Sequence, residues 1–427
     1  MRILHIINNG TTRGGAERLA ADLVGEQRAT GHAVHVLSSD LPDRGTWFAD
    51  TTFAVAGASL PARLRNRFRN PAAATALAAL LDEWRPDVVH LHTVGLLSPA
   101  ALPLLSGVPT VLTVHGPELF LRETVRQCLP ASYFRGGHRI GARLTVRGRL
   151  AERWETIVGR RLWCRALRSV DLFVAPSPYT AAIVARALGE TRMVRNGVGA
   201  DRLAAVPHLG GTGRIVTVGR LEDSKGPQVL LAALPAILAA HPGARLTVVG
   251  SGPMEAELRE LARRLAVAAA VDFAGWQAPA EQATLLATAD VAVVPAVSPE
   301  SFGLTALEAQ AAGCAVVASA AGGLADVVRH GETGLLVPPG DPDALAAAVG
   351  RLLGDAALRD RLGAAGQRSA AELTIPAHAA ALLTVYREAI GRHSAAVIIT
   401  AFSSPRRRKS GGDHQGAAGA PAAEVTA

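Results

Sequence analysis

Short apolar runs closed by glycine-rich turns alternate with stretches of helical length, and this alternation occurs twice along the 427-residue chain. The first series contains RILHII (2–7), an amphipathic stretch Ala16–Thr30, HAVHVL (32–37) and a helix near 71–84. It continues with PDVVHLH (86–92), PTVLTVH (109–115) and DLFVAPS (171–177). The second begins after the polar, glycine-rich HLGGTG (208–213). Its strands are RIVTVGR (214–220), RLTVVG (245–250), VDFAG (271–275), DVAVVPA (290–296) and CAVVASA (314–320). Helices are expected between them near 226–239, 254–267, 279–288, 303–313 and 342–354. Runs this short and this apolar suit strands buried on both faces. Each series therefore predicts a parallel sheet covered by helices, the α/β class.

Composition narrows the alternatives. With 49% apolar and 19% charged residues the chain is globular, and its three scattered cysteines (Cys128, Cys164, Cys314) build neither a disulfide framework nor a structural zinc site. The amino-terminal run reaches Arg13-Gly14-Gly15 before an export-signal core develops, so a cytoplasmic location is expected. No window of eighteen apolar residues occurs, so no span is expected. A final helix is read at about Pro376–Ile390. The tail 393–427, with the Arg406–Lys409 run, reads as disordered and low-complexity, too weakly charged to name nucleic acid as a partner.

Several motifs carry chemistry. Gly14-Gly15-Ala16-Glu17 lies in the first strand-to-helix turn, where glycines let backbone N–H groups approach an anion or a sugar, although a plain tight turn needs the same residues. Arg220 ends a strand, and Lys225 precedes a helix five residues later. Lys225 is the only lysine outside the tail, and an Arg fork with a Lys point charge at a helix amino terminus suits a diphosphate. The alternative is two solvated charges paired with Glu222 and Asp223. In PESFGLTALEAQAAGCAVVAS (299–319), Glu300 and Glu308 stand eight residues apart around Phe302, Gly303 and Leu304. That spacing could place one carboxylate on a ribose and the other on a sugar ring. GSGPME (250–255) imitates a dinucleotide fingerprint, but Glu255 replaces its third glycine; a tight turn with Pro253 as first helical residue is the better reading. Asp341-Pro342-Asp343 has metal-ligand spacing, yet an N-cap, a first-position proline and a first-turn acid explain it without an ion.

Taken together and in order, these motifs resemble those of the retaining, nucleotide-sugar-dependent glycosyltransferases of family 4 (glycosyl transferases group 1), over about residues 1–390. The E-x7-E pair is matched by Glu300 and Glu308. The G-R…K-G element is matched by Arg220, Lys225 and Gly226, the amino-terminal glycine turn by Gly14 and Gly15, and the catalytic-loop histidine by His115. The resemblance implies the GT-B architecture, two Rossmann-like domains facing each other across a cleft. The expected units are an acceptor domain (1–200), a nucleotide-sugar domain (201–375) and a helix (376–392) crossing back to the first. It also implies roles: Arg220 and Lys225 neutralise the leaving diphosphate, and Glu308 anchors the ribose. Glu300, with the backbone near Phe302, Gly303 and Leu304, clamps the sugar hydroxyls. His115 holds the sugar near its reacting carbon, and Gly15 allows close approach to the diphosphate. A UDP- or GDP-sugar is then the donor substrate, with no tightly bound cofactor and no metal. One departure is Asn196-Gly197-Val198, which is followed by Gly199 where many relatives have Asp.

Residues 120–168 carry twelve Arg against three Glu, a local net of +9 that exceeds the whole chain's +8. With Trp154, Ile157, Leu162, Trp163 and Leu167 interleaved, this stretch is expected either to pack on the sheet or to lie on an anionic membrane. A peripheral enzyme with a glycan or lipid-linked acceptor of cell-envelope polysaccharide or glycolipid synthesis is expected, with a small soluble acceptor as the alternative. Competing activities are another two-domain sugar enzyme, such as a nucleotide-sugar epimerase, a trehalose-phosphate type synthase or a phosphorylase, and a silent nucleotide-sugar binder. A phosphorylase would need a pyridoxal phosphate lysine, and Lys225 lies in the wrong context. Intact Arg220, Lys225, Glu300 and Glu308 argue against a silent protein. The oligomeric state is left open.

Overall fold

The computed structural model describes residues 1–12, 14–41, 45–55, 68–116, 162–163, 165–199 and 211–403. The first half builds a seven-stranded sheet from β1 (Arg2–Asn9), β2 (Ala33–Ser39), β3 (Thr51–Phe53), β4 (Val88–Leu91), β5 (Thr110–Thr113), β6 (Leu172–Ala175) and β7 (Thr191–Met193), in the order β3-β2-β1-β4-β5-β6-β7. The second builds six strands: β8 (Arg214–Val218), β9 (Arg245–Val249), β10 (Val271–Gly275), β11 (Val291–Val294), β12 (Ala315–Ser319) and β13 (Leu335–Val337), ordered β10-β9-β8-β11-β12-β13. Every ladder is parallel. Strand order reverses beside β1 in one sheet and beside β8 in the other. The crevice at such a reversal, beyond the carboxyl ends of the strands, is where ligands bind in doubly wound sheets.

The helices divide by how they begin. Asn70 caps α2 (Pro71–Glu83), Ser177 caps α3 (Pro178–Leu188), and Asp355 caps α10 (Ala356–Ala370), each accepting a backbone N–H. Asp341 caps α9 (Pro342–Gly354) by accepting from Asp343 at 3.1 Å and Ala344 at 2.9 Å, so capping accounts for the Asp-Pro-Asp motif. By contrast α1 (Gly15–Ala29), α4 (Pro227–Ala240) and α7 (Leu304–Ala311) start at Gly14, Gly226 and Gly303 with no side-chain cap. Their first N–H groups are not taken by a capping side chain, as a ligand-binding helix end requires.

Four expectations change. The closing helix α11 runs from Ile375 to Ser403 rather than ending at 390–392, so residues 393–403 are helix and not disordered tail. No residue between Gly391 and Ser403 stops a helix, and Pro405 is the first that disfavours helical backbone before it. His393 meets Asp171 at 3.2 Å, tying this extension to the sheet; residues 404–427, including Arg406–Lys409, lie outside the described residues. Pro253 sits in the turn before α5 (Glu255–Arg264) rather than inside it. The glycines of that turn serve backbone packing: a Cβ on Gly250 would lie 1.8 Å from the Gly219 carbonyl oxygen. The expected set of helices did not include α10, which carries Gly363 and Gly366 in its interior. Gly363 lets α10 approach the chain entering β12, since a Cβ there would lie 2.4 Å from the Gly313 oxygen.

Although it follows the second sheet, α11 packs on the first. Ala379, Leu382, Val385, Tyr386 and Ala389 join Ile3, Leu23, Val88, Val111 and Leu172 in one buried cluster. Burying five such side chains at about 25 cal/mol per Å² stabilises the junction by several kcal/mol. The crossing chain also pairs with the interdomain segment: Val198 N–H donates to Leu373 O at 2.8 Å, and Ile375 N–H to Val198 O at 3.2 Å. Among the described residues no helix is long and apolar enough to cross a membrane.

Candidate active site

Three loops converge at the strand-order reversals. After β8, the turn Asp223–Lys225 ends at Gly226 with φ +72°, a left-handed conformation. A Cβ at Gly226 would lie 1.9 Å from the Pro295 carbonyl oxygen, so only glycine lets this loop nest against the one after β11. Val297 and Ser298 donate backbone hydrogen bonds to Ser224 O at 3.0 and 3.1 Å. Lys225 is thereby aimed at the 300 loop, and its Nζ meets Glu300 Oε1 at 2.6 Å.

Glu300 is fixed from the other side by the loop after β12. Its N–H donates to Ala321 O at 3.1 Å, and Gly323 N–H donates to Glu300 O at 2.7 Å. Gly322 and Gly323 permit this, since added Cβ atoms would lie 2.5 Å from Glu300 O and 2.4 Å from Ser301 O. Phe302 is buried in the second-half core, so its side chain is structural and only its backbone faces the site's chemistry. Arg220 is different: its side chain is 69% exposed and paired with Glu222 at 2.6 Å, a solvent-screened contact.

The first half faces this centre directly. His115 follows β5, and its carbonyl oxygen accepts the Ser301 hydroxyl, one residue from Glu300. Ser177 and Thr180 both donate to Ser301 O, at 2.6 and 2.8 Å. Burial, and the charge His378 would carry, push His115 down to about 3, so its imidazole is neutral at physiological pH. Gly15 lies against Leu304, whose Cδ1 would sit 3.3 Å from an added Cβ. Glu308 is buried, with Oε1 accepting from Arg18 Nη1 at 3.0 Å and Oε2 from Gln282 Nε2 at 3.0 Å. These residues, with Pro279, Ala283, Leu286 and Ala312, line one small pocket. The structure thus brings His115, Lys225, Glu300, Gly15, Leu304 and Glu308 to one cleft.

Comparison with known proteins decides what this cleft belongs to. The family "Glycosyltransferase Family 4" matches residues 13–202, and "Glycosyl transferases group 1" matches residues 204–369. The chain is 36% identical over 310 residues to a glycogen synthase of Mycobacterium tuberculosis, covering 71% of this chain and 69% of that protein. It is 31% identical over 389 residues to a phosphatidyl-myo-inositol mannosyltransferase of Mycobacterium leprae, covering 87% and 92%. The chain belongs to the family 4 glycosyltransferases. Its fold is GT-B: a sucrose-phosphate synthase from Thermosynechococcus elongatus superposes with a TM-score of 0.71 at 26% identity, over 92% of this chain and all of the other.

Sequence reasoning missed two parts of this candidate site. Arg18 reaches across the cleft to Glu308; its signal was a basic residue one turn beyond the Gly14-Gly15 pair. A buried histidine cluster, His5, His90 and His92, lies behind His115. Its signal was histidine on adjoining buried strands, with His90 and His92 at the two-residue spacing that shares a sheet face. Of the basic stretch 120–168, residues 120–161 and 164 lie outside the described residues; Trp163 and Leu167 are buried in the first core. Trp163 is therefore unavailable to a membrane.

Proposed function

We propose that this glycosyltransferase moves a sugar from a UDP- or GDP-sugar to a hydroxyl of a glycan or lipid-linked acceptor, retaining anomeric configuration without a metal ion. The observation that carries this reading is the Lys225–Glu300 pair, held at 2.6 Å by glycine-dependent loop packing beside an uncapped helix start. The ammonium lies where a diphosphate reaching the α4 amino terminus would be met. Arg220 swings from its exposed pairing with Glu222 to the same anion. Glu300 and the backbone of Phe302–Leu304 take the sugar hydroxyls, Glu308 takes the ribose, and His115 contacts the sugar.

In the reaction the bond between the anomeric carbon and the diphosphate oxygen breaks as the acceptor oxygen bonds on the same face. The acceptor proton passes to the departing phosphate oxygen, so no enzymic nucleophile is required and Glu300 is not one. Catalysis is then electrostatic: Lys225, Arg220 and the glycine-started helices meet the charge that grows on the leaving group.

The names of the two relatives, a glycogen synthase and a phosphatidyl-myo-inositol mannosyltransferase, support glycan and lipid-linked acceptors respectively. A mass-resolved screen of UDP- and GDP-sugars for slow hydrolysis, then for transfer, tests the reading. One donor should be turned over, and EDTA should leave its rate within twofold. A tenfold loss with EDTA, restored by magnesium or manganese, would refute metal independence. No turnover of any donor would refute the donor assignment.

We further propose peripheral attachment on the cytoplasmic side of an anionic membrane, through the basic stretch around 120–168. Its described end shows Leu162 41% exposed, with Arg165 and Arg168 exposed beside it. Co-sedimentation with vesicles should rise with anionic lipid and fall with salt, as surface attraction is screened. Binding absent at low salt, or abolished by truncation at Ser403, would remove this docking face.

A further inference from the structure

Behind His115 lies a continuous chain of buried polar groups that the reaction above does not use. His5, His90, His92, Gln27 and Tyr386 are each at most 2% exposed. His115 Nε2 meets His92 Nδ1 at 3.0 Å, and His92 Nε2 meets His5 Nδ1 at 2.8 Å. His5 Nε2 meets the Gln27 carbonyl Oε1 at 2.8 Å. Beyond the amide, Gln27 Nε2 donates to Tyr386 Oη at 3.4 Å, and Tyr386 Oη meets His90 Nδ1 at 2.6 Å. His90 Nε2 meets Thr113 Oγ1 at 2.7 Å. Buried polar groups without partners are costly, and this chain satisfies all six nitrogens of His5, His90 and His92.

Those three imidazoles are close enough to hold a metal ion, with ligand atoms within 4.8 Å of one another. Each of their nitrogens already has a hydrogen-bond partner, however, so an ion would have to break the chain to bind. A proton-ordered network accounts for the cluster directly.

The order of the protons follows from one group. A carbonyl oxygen only accepts, so His5 must donate from Nε2 to Gln27. Burial lowers His5 to about 4 and holds His90 and His92 well below 6.5, so each ring is neutral and carries one proton. With Nε2 of His5 protonated, its Nδ1 accepts, and His92 must donate from Nε2. His92 Nδ1 then accepts, and His115 donates from Nε2. The remaining nitrogen, His115 Nδ1, carries a lone pair and has no hydrogen-bond partner among the described residues. On the other branch Gln27 donates to Tyr386, Tyr386 to His90, and His90 to Thr113, with no conflict at any link.

We propose that Gln27 is a positioning residue for His115: through His5 and His92 its amide fixes the His115 imidazole as the Nε2–H tautomer. Nδ1 then stands as an obligate acceptor for a hydroxyl of the donor sugar. The second part rests on the reading of His115 as a sugar contact; the tautomer does not. Such a chain selects a donor that offers an O–H at this point over one that lacks it, because a deoxy sugar leaves the acceptor unpaired. It also explains why a glutamine and three histidines occupy strand and helix positions where apolar residues would pack as well.

The test is long-range ¹H–¹⁵N correlation on the full chain labelled with ¹⁵N-histidine. His5, His92 and His115 signals are assigned by loss in His5→Gln, His92→Gln and His115→Gln. At neutral pH all three should show the Nε2–H pattern. His115 in the Nδ1–H form, averaged between tautomers, or displaced by one bound equivalent of zinc in the purified protein would overturn the proposal. Gln27→Glu, which still accepts from His5, should keep the wild-type pattern. Gln27→Leu should average the His115 tautomers and raise donor KM roughly fivefold with kcat little changed. A folded Gln27→Leu protein with unchanged tautomers would also overturn it, and the wild-type spectrum decides the matter if either variant fails to fold. A correct tautomer with donor binding unaffected by His115→Gln would leave the network standing and sink the sugar contact instead.

Discussion

Replacing Lys225 with alanine should lower kcat by about a hundredfold or more while changing donor KM much less. In the proposed reaction the ammonium faces a diphosphate in both the ground and the transition state, but negative charge on the bridging oxygen grows only as the glycosidic bond breaks. The interaction is therefore worth more in the transition state, which is the condition for an effect on kcat. The site holds the group in advance: Gly226 and the Pro295 carbonyl fix the loop, and Glu300 at 2.6 Å fixes the side chain. Arg220→Ala should act in the same direction, with its exposed guanidinium recruited from Glu222. Folding should be little affected, since the Lys225 side chain is 40% exposed and water can solvate Glu300 in its place. Steady-state kinetics with the donor found by screening, alongside thermal melts, would show this. A variant with raised KM and intact kcat would mean that Lys225 only binds the donor.

Much of this centre was legible because its chemistry is concentrated in short segments. A lone lysine five residues after Arg220 and two glutamates eight apart specify the centre without reference to the rest of the chain. The nine interior strands and the edge strand β10 were legible because each is a run dominated by apolar residues. The other three edge strands, β3, β7 and β13, were not, since three residues show no periodicity. The fifteen-residue helix α10 was not anticipated, and the glycines inside it, Gly363 and Gly366, are weak helix formers that serve packing instead. What closes the site was least visible. Arg18 meets Glu308 across 290 positions and Tyr386 meets His90 across 296, and such pairings depend on tertiary folding rather than on local pattern. The histidines of β1 and β4 lay in runs that read as ordinary core, and only their hydrogen bonds to α1 and α11 distinguish them.

Glu308→Ala should produce the complementary phenotype, a donor KM raised by roughly ten- to a hundredfold with kcat within a few-fold of wild type. The ribose stays bound throughout the reaction, so an anchor on it contributes equally to ground and transition states. The buried carboxylate is held ready, with Arg18 on one oxygen and Gln282 on the other. Carboxylate oxygens only accept, and ribose hydroxyls are donors of the kind they take. Arg18 orients the carboxylate through its 3.0 Å contact, and Arg18→Ala should therefore also raise KM, by a smaller factor than Glu308→Ala. If Arg18 instead competed with the ribose, its removal would lower KM, and the two variants would move in opposite directions. Measuring both with one donor separates these cases. The same pair of measurements ties the two halves together, because Arg18 comes from α1 and Glu308 from α7. A KM that responds to Arg18 means the donor site is completed only when the first half closes against the second.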